Sequence, residues 1–401
     1  MAIPVPESFF IGMGILIVGN GYFKPNISTI VGKLYADDDP RRDAGFSLFY
    51  AGVNLGALIG GYICIAVANG SLWSSLVPAA LRWNVAFGFA AVVMLVSLIT
   101  FTQTQKSLGA IGLSPLAAMQ ASKRKRLELA TYIGSLLIIP IIMTMVSNTD
   151  YTDIFMFIIG PASLLYLFYE MRSFTAAENK KLIAALVFIV FSIFFWAFFE
   201  QSGGSLSLFA AHNLNNTVLG VPLDPNGVNN AANSFFVIVF AALVGMVWLW
   251  LHKRKLEPNT VVKFGLGFLF LAGGFAIFYD TKFFADASGK TSLNLFTFGW
   301  FIITFGELCL SPIGMSAMTK LSPAKTQAVI MGMWFLASAY GQYFAGLLGA
   351  NIADASEHAS NLEKLTVYAN GYKQLAIYAL IAGVLLIAIA PLVKKLMQDV
   401  K

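Results

Sequence analysis

Long apolar runs, separated by short polar segments, extend along the whole chain. About 20 consecutive apolar residues are enough for a helix to cross the hydrocarbon core of a bilayer, and most of these runs reach that length. We therefore predict eleven membrane-spanning helices and an all-α polytopic membrane protein. The predicted spans are residues 8–35, 44–69, 83–103, 128–147, 152–171, 181–212, 231–252, 261–280, 293–319, 327–350 and 371–393.

The composition supports a membrane protein and argues against several kinds of site. Hydrophobic residues make up 58% of the chain and charged residues 11%, whereas soluble domains contain about 25% charged residues. Cys64 and Cys309 lie within apolar runs, and His212, His252 and His358 are too far apart in the sequence to form a metal-ligand motif with one another or with a cysteine. We therefore expect no metal site and no cofactor. We find no nucleophile–base motif and no phosphate-binding glycine loop, so we do not expect an enzyme.

The positively charged residues are distributed unequally between the two sides that the spans define. Most of the 26 lysines and arginines fall in the segments on one side, and such enrichment is typical of cytoplasmic segments. The C-terminus is thus predicted to be cytoplasmic and Met1 to lie outside. Topology accounts for the formal net charge of +6, so we expect no nucleic-acid partner. An odd number of spans that starts outside also predicts that preceding helices are absent.

Three charged residues are predicted to lie deep within spans: Lys24, Glu200 and Glu307. A charge at the bilayer centre costs about 2.5–3.5 kcal/mol on insertion scales, so these side chains are expected to face a water-filled cavity or one another. Pro25 follows Lys24 and Pro312 lies just beyond Glu307, and we expect each proline to break or bend its helix. Because there are two acids and one base, one carboxylate has no oppositely charged partner among these three residues. Such an acid, buried in the membrane, is a candidate proton carrier.

Four-residue spacing places pairs of polar and aromatic residues on single helix faces. Taken alone, such pairs more often reflect ordinary packing between helices than a binding site. In the apolar run 181–212, Trp196 lies one turn before Glu200, and this face is expected to line a cavity. Similar pairs are Tyr50 with Asn54 on the second span and Trp334 with Ser338 on the tenth.

Four motifs distributed over the chain resemble those of the proton-dependent oligopeptide transporter family, a branch of the major facilitator superfamily. They are Gly21–Asn26 (GYFKPN), Phe46–Leu58 (FSLFYAGVNLGAL), Phe195–Gln201 (FWAFFEQ) and Phe305–Gly314 (FGELCLSPIG). Their order matches the fourth, fifth, seventh and tenth helices of the family. The resemblance implies a proton-coupled symporter that imports di- and tripeptides by alternating access.

The resemblance also implies a domain organisation. Residues 1–105 would form the remainder of the N-terminal bundle (helices 4–6) and residues 106–127 a basic cytoplasmic linker. Residues 128–174 would form the inserted helical hairpin of bacterial members, and residues 175–401 the C-terminal bundle (helices 7–12). The first three helices of the family have no counterpart, so we expect one wall of the cleft to be incomplete.

The roles of individual residues follow from the resemblance. Lys24, Glu200 and Glu307 correspond to the family's proton-coupling residues, and we expect Lys24 and Glu307 to pair and separate during the transport cycle. Glu200 would face the amino group of the peptide and Lys24 its C-terminal carboxylate. Asn233 would open the eighth helix and also reach the peptide. The substrate-binding residues that the resemblance implies are Lys24, Tyr50, Asn54, Trp196, Glu200, Asn233, Trp334 and Ser338.

The expected partners are small peptides and the lipid bilayer, without an obligate protein partner. A carrier of another small solute (nitrate, a drug or a sugar) would have the same fold, and a channel is an alternative of a different class. Two acids and a lysine favour a zwitterionic substrate, and bent helices with charges in both halves favour alternating access over a continuous pore. The predicted location is the plasma membrane, as a multi-pass protein of the bacterial inner membrane.

Overall fold

The computed structural model describes residues 1–36, 39–68, 70, 72–352 and 359–400, so His358 lies outside the described residues. The described chain is almost entirely helical, with one short β-hairpin. Its helices are α1 (Pro6–Lys33), α2 (Arg42–Ala68), α3 (Arg82–Thr104), α4 (Ala121–Ser147), α5 (Thr149–Glu170), α6 (Ala176–Phe199), α7 (Ser205–Asn213), α8 (Pro225–Lys253), α9 (Thr260–Asp280), α10 (Leu293–Leu321), α11 (Gln327–Ile352) and α12 (Asn361–Met397). Strands β1 (Thr217–Val218) and β2 (Val221–Pro222) pair antiparallel between α7 and α8.

A helix occupies the position of every predicted span. In the part of the chain that the structure describes, nine helices are long and apolar enough to cross a membrane, and α1 and α11 are not among them. Polar side chains such as those of Lys24 and Asn26 on α1, and of Gln342 on α11, reduce the hydropathy of these two helices. The all-helical fold is confirmed, while the number of eleven spans stays a prediction.

The predicted span 181–212 is not one continuous helix. α6 ends at Phe199, and Glu200 has backbone angles of φ −77° and ψ 43°, outside the helical region. The chain resumes as α7 at Ser205. The expectation of one unbroken face from Trp196 through Glu200 and beyond is therefore wrong. Gly203 and Gly204, the last residues of the break before α7, have poor helix propensity and make the interruption possible at small cost.

Other boundaries differ because polar residues extend the helices beyond the apolar runs. α4 begins at Ala121, so the basic segment 122–126 is helical. α8 begins at Pro225, where Asp224 caps it by accepting a hydrogen bond from the Gly227 backbone amide, so Asn233 lies two turns inside. α1 and α10 continue through Pro25 and Pro312, so neither proline ends its helix, while a bend at either proline stays a prediction.

Contacts divide the described chain into two compact units. The first comprises Met1–Leu34 and Gly56–Tyr169, and the second comprises Tyr35–Leu55 and Glu170–Lys401. In the first unit α1 packs on α4. A Cβ at Gly14 would lie 3.1 Å from Ile139 Cγ2, and the hydroxyl groups of Tyr22 and Ser135 are 2.7 Å apart.

The core of the second unit depends on close approaches of helix backbones. A Cβ at Gly267 on α9 would lie 2.9 Å from the carbonyl oxygen of Gly306 on α10, and one at Gly383 on α12 would lie 3.0 Å from the carbonyl oxygen of Gly265. Small residues at such positions let helices approach without an intervening side chain. α9 is therefore held between α10 and α12.

A buried ion cluster fixes the start of α2 in the second unit. The ammonium group of Lys263, a residue only 2% exposed, lies 2.9 Å from Asp43 Oδ2 and 2.6 Å from Glu257 Oε1. Asp43 also accepts a hydrogen bond of 2.6 Å from the hydroxyl of Ser316, and Lys320 Nζ is 3.4 Å from its Oδ1. Lys263 was not among the three charges predicted to lie deep within spans. In the structure Lys263 is paired inside the protein, as a buried charge requires.

Candidate functional site

Glu307 occupies a buried position in the middle of α10. This helix begins where the Ser292 side chain accepts a hydrogen bond from the Leu295 backbone amide, and Glu307 lies about four turns further on. The Glu307 residue is only 3% exposed. A carboxylate buried to this extent is stable only with hydrogen-bond donors around it.

Tyr50 and Asn233 provide these donors from two other helices. The hydroxyl group of Tyr50, on α2, donates a short hydrogen bond to Glu307 Oε1. The side-chain amide of Asn233, on α8, donates to Glu307 Oε2 over 2.6 Å, and it lies 3.3 Å from the hydroxyl oxygen of Thr304. Each carboxylate oxygen thus has a donor from a different helix.

A second contact between α2 and α8 extends this arrangement by one turn. The hydroxyl of Ser234 donates to Asn54 Oδ1 over 3.2 Å, and the Asn54 amide donates to the carbonyl oxygen of Tyr50 over 3.1 Å. We call Tyr50, Asn54, Asn233, Ser234 and Glu307 the polar cluster. Ser234 was missed by sequence reasoning, because a serine beside an asparagine at a helix surface gives no distinguishing signal.

The two tryptophans among the predicted site residues are both buried against neighbouring helices. Trp196 is 9% exposed, and a Cβ at Gly341 on α11 would lie 2.2 Å from its Cβ. Trp334 is 3% exposed, and its ring lies where a Cβ at Gly314 would be, at 2.2 Å. Glycines on the facing helices therefore make room for both tryptophans. Ser338, one turn beyond Trp334 on α11, is half-buried.

Glu200 lies at the break between α6 and α7. α6 begins with a capping box between Thr175 and Glu178, which sets the start of the helix that presents Trp196 and Glu200. The Glu200 side chain is half-buried, and its Oε1 accepts a hydrogen bond of 3.3 Å from the amide of Gln342 on α11. The structure thus gives this acid a hydrogen-bonding neighbour that sequence reasoning did not identify.

Lys24 belongs to the first unit, on α1. Its backbone carbonyl accepts a hydrogen bond of 2.9 Å from the hydroxyl of Ser28. The remaining predicted site residues all belong to the second unit. Four of them, Tyr50, Asn54, Asn233 and Glu307, are linked in the polar cluster, while Glu200 is linked to α11.

Known proteins with similar sequences include transporters of peptides. Peptide transporter YePEPT of Yersinia enterocolitica is 30% identical over 411 residues, which cover 98% of this chain and 76% of that protein. Dipeptide and tripeptide permease A of Pectobacterium carotovorum is 28% identical over 391 residues, covering 98% of this chain and 74% of the permease. This chain therefore spans about three quarters of the length of these relatives.

A solved structure agrees with the fold as well. The crystal structure of peptide transporter POT in complex with sulfate superposes with a TM-score of 0.66 at 30% sequence identity, covering 99% of this chain and 78% of that one. The sequence also matches the family described as the POT family over residues 4–367. Its known members in these comparisons are transporters, which confirms the prediction that the chain is not an enzyme. A match that covers most of the sequence, together with the similar relatives and structure, shows that this chain belongs to the POT family of membrane transporters.

Proposed function

We propose that this chain is a symporter that imports di- and tripeptides together with protons by alternating access. Membership of the POT family supports this function, and one observation carries the coupling: the buried carboxyl group of Glu307 receives hydrogen bonds from Tyr50 on α2 and Asn233 on α8. A buried carboxyl group that joins three helices cannot change its protonation state without changing those bonds. Protonation is thereby linked to the positions of the helices.

The chemistry of the carboxyl group gives this link a direction. Ionised Glu307 only accepts hydrogen bonds, so both oxygens match the donors Tyr50 and Asn233. Protonation turns one oxygen into a donor, and its bond to a facing donor weakens. α2 or α8 is then held less firmly on α10. A group of this kind can therefore release a helix when a proton arrives and hold it when the proton leaves.

We assign the two ends of the peptide to charges of opposite sign. Glu200 receives the amino group, and Lys24 receives the C-terminal carboxylate and pairs with Glu307 in part of the cycle. Charges at a fixed separation select the length of a peptide rather than its sequence. The neutral residues of the binding cavity are Tyr50, Asn54, Trp196, Asn233, Trp334 and Ser338.

The proposed topology follows the family resemblance. Eleven spans form two bundles, with residues 1–105 in the first, 175–401 in the second, and the inserted hairpin 128–174 between them after the linker 106–127. The C-terminus is cytoplasmic and the membrane is the bacterial inner membrane. Protons are the coupling ion and no cofactor takes part. A proton moving inward across 100 mV releases about 2.3 kcal/mol, which corresponds to roughly fiftyfold accumulation of substrate.

The test is uptake of labelled dipeptide by purified protein in liposomes. With an inward proton gradient the protein should accumulate dipeptide, and Glu307→Gln should abolish this accumulation. Counterflow of dipeptide, measured at the same pH on both sides of the membrane, should persist in Glu307→Gln. Glu363→Gln is the matched control, because Glu363 is an exposed acid that caps α12. It should accumulate dipeptide like the unmodified chain.

Each other outcome rejects part of the proposal. Gradient-driven accumulation by Glu307→Gln would reject the coupling role of this acid. Counterflow of nitrate or a sugar but not of dipeptide would show that the substrate is that solute and not a peptide. Dipeptide flux that shows no counterflow would indicate a channel, because only a carrier exchanges substrate across a closed gradient.

A further inference from the structure

α11 presents a row of side chains that continues beyond the predicted site residues. Trp334, Ser338 and Gln342 are spaced four residues apart within the helix Gln327–Ile352. This spacing places them on one side of the helix in successive turns. Gln342 therefore follows Ser338 in the direction of the break at Glu200.

The contact between α11 and α6 next to Gln342 is tight. A Cβ at Gly341 would lie 2.2 Å from Trp196 Cβ and 3.1 Å from the Ile193 carbonyl oxygen, so no larger residue fits there. Because Gly341 immediately precedes Gln342, the backbone of Gln342 has a defined position relative to the end of α6.

The break itself is also tied to α11. The fully buried amide of Gln201 donates hydrogen bonds of 3.2 Å to the carbonyl oxygens of Ala197 on α6 and Ala345 on α11. Its own oxygen accepts a bond of 2.9 Å from Ser205 at the start of α7. Both sides of Glu200 are thus held against the same turn of α11.

Within this framework the amide of Gln342 donates to Glu200 Oε1 over 3.3 Å. Glu200 caps the end of α6, where its backbone N–H donates to the Trp196 carbonyl oxygen, and a donor from a neighbouring helix limits where its carboxylate can be. A carboxylate accepts several hydrogen bonds, which leaves acceptor capacity for a substrate. An ammonium group has three donors, and the Gln342 carbonyl oxygen offers it a second acceptor beside Glu200.

We propose that Gln342 is a further residue of the subsite for the amino group of the peptide, where it positions Glu200 and accepts a hydrogen bond from the substrate. The proposal rests on the role of Glu200 in the proposed function. Gln342 is exposed, and an amide beside a carboxylate at this depth fits a water-accessible cavity rather than lipid.

The test compares dialanine with N-acetyl-dialanine in the full chain, measured by counterflow in liposomes. Gln342→Ala and Gln342→Leu should raise the KM for dialanine about threefold to tenfold, as expected for the loss of one hydrogen bond. The KM for N-acetyl-dialanine, which lacks the ammonium group, and the maximal rates should not change. Leu fills most of the volume of Gln, so agreement between the two variants excludes an effect of a cavity.

Asn351→Ala is the matched control. Asn351 is an exposed amide on the same helix and donates to the carbonyl oxygen of Leu347 on its own helix, 3.0 Å away. It should leave both KM values unchanged. The double variant Glu200→Gln/Gln342→Leu should lose more affinity for dialanine than Glu200→Gln alone but less than the sum of the two single losses, because Gln342 acts partly through Glu200 and partly through its own bond to the substrate.

The outcomes separate the two assignments. If Glu200→Gln weakens dialanine selectively and the Gln342 variants weaken both peptides equally or neither, the role of Gln342 is wrong while that of Glu200 stands. If Glu200→Gln does not distinguish the two peptides, the proposed role of Glu200 fails and that of Gln342 fails with it. Fully additive losses in the double variant would overturn the positioning of Glu200 by Gln342, and no further loss beyond that of Glu200→Gln would overturn its direct bond to the substrate.

Discussion

The side-chain amide of Asn233 donates a hydrogen bond of 2.6 Å to the carboxylate of Glu307. A residue predicted to reach the substrate is thus bonded directly to the predicted proton carrier. The hydroxyl of Tyr50, another predicted substrate contact, donates to the other oxygen of the same carboxylate. A peptide that engages Asn233 or Tyr50 must therefore alter the surroundings of Glu307, which is a direct route for coupling substrate binding to proton binding.

Asn233→Leu should change the pH dependence of transport. Loss of a donor to the ionised carboxylate favours the protonated acid, so half-maximal proton-driven uptake should move to higher pH. The measurement is the initial rate of dipeptide uptake as a function of outside pH at constant membrane potential. Asn351→Ala, which removes an exposed amide on α11, is the control and should keep the original profile. An unchanged pH profile for Asn233→Leu would show that Asn233 does not influence proton binding.

Tyr50→Phe should reduce proton-driven accumulation at least tenfold, because it removes one hydrogen bond to a charged group, worth roughly 1.5–3 kcal/mol. The aromatic ring remains, so the packing of α2 is retained. Tyr378→Phe removes the hydroxyl of a tyrosine that is 48% exposed on α12 and should have no effect. The measurement is the steady-state accumulation ratio of dipeptide for the two variants, at the same protein density in the liposomes. Equal ratios would contradict a role for the Tyr50 hydroxyl group.

Lys263→Met should destabilise the protein strongly. Removal of Lys263 leaves Asp43 and Glu257 without their buried cation, and breaking a buried pair in this way costs about 3–5 kcal/mol. The control, Lys325→Met, removes a lysine whose side chain is 64% exposed and lies 2.6 Å from Glu170, and exposed pairs contribute about 0–1 kcal/mol. Thermal unfolding in one detergent should show a large fall in the midpoint for Lys263→Met alone. Similar midpoints would show that the Asp43 cluster is hydrated rather than buried.

Gly314→Ala should disturb α11 through Trp334. The added Cβ would lie 2.2 Å from the Trp334 ring, and the ring is also in contact with Phe264. Overpacking of this kind costs about 1–3 kcal/mol. Gly332→Ala on α11 is the control, since no atom lies within 4 Å of its added Cβ in the described structure. We expect a lower unfolding midpoint and slower counterflow for Gly314→Ala only. Adding Trp334→Phe should restore part of the stability by shortening the ring system.

The sequence by itself determined the helices and the acids of this protein. Apolar runs of sufficient length specify helices in a bilayer, because every backbone polar group must be satisfied within the segment. Glu200 and Glu307 stood out for the same reason, since a charge in an apolar run is expensive and needs an explanation. The motifs around them were sufficient to identify the family.

Only the tertiary structure decided the partners of these charges and the geometry of the break at Glu200. Tyr50 and Glu307 are 257 residues apart in the chain, and no local pattern records which helix faces meet. Polar residues and two glycines follow Glu200 and permit a break, but glycines are also frequent within membrane helices, so the sequence does not show that α6 stops there. In the structure Gln201 bonds to α11 and holds the break. Lys263 was not among the charges predicted to be buried, because its burial depends on pairing with Asp43 and Glu257. A side chain becomes buried and paired only when helices pack together, so the contacts between helices determine which charges are buried and which partners they have.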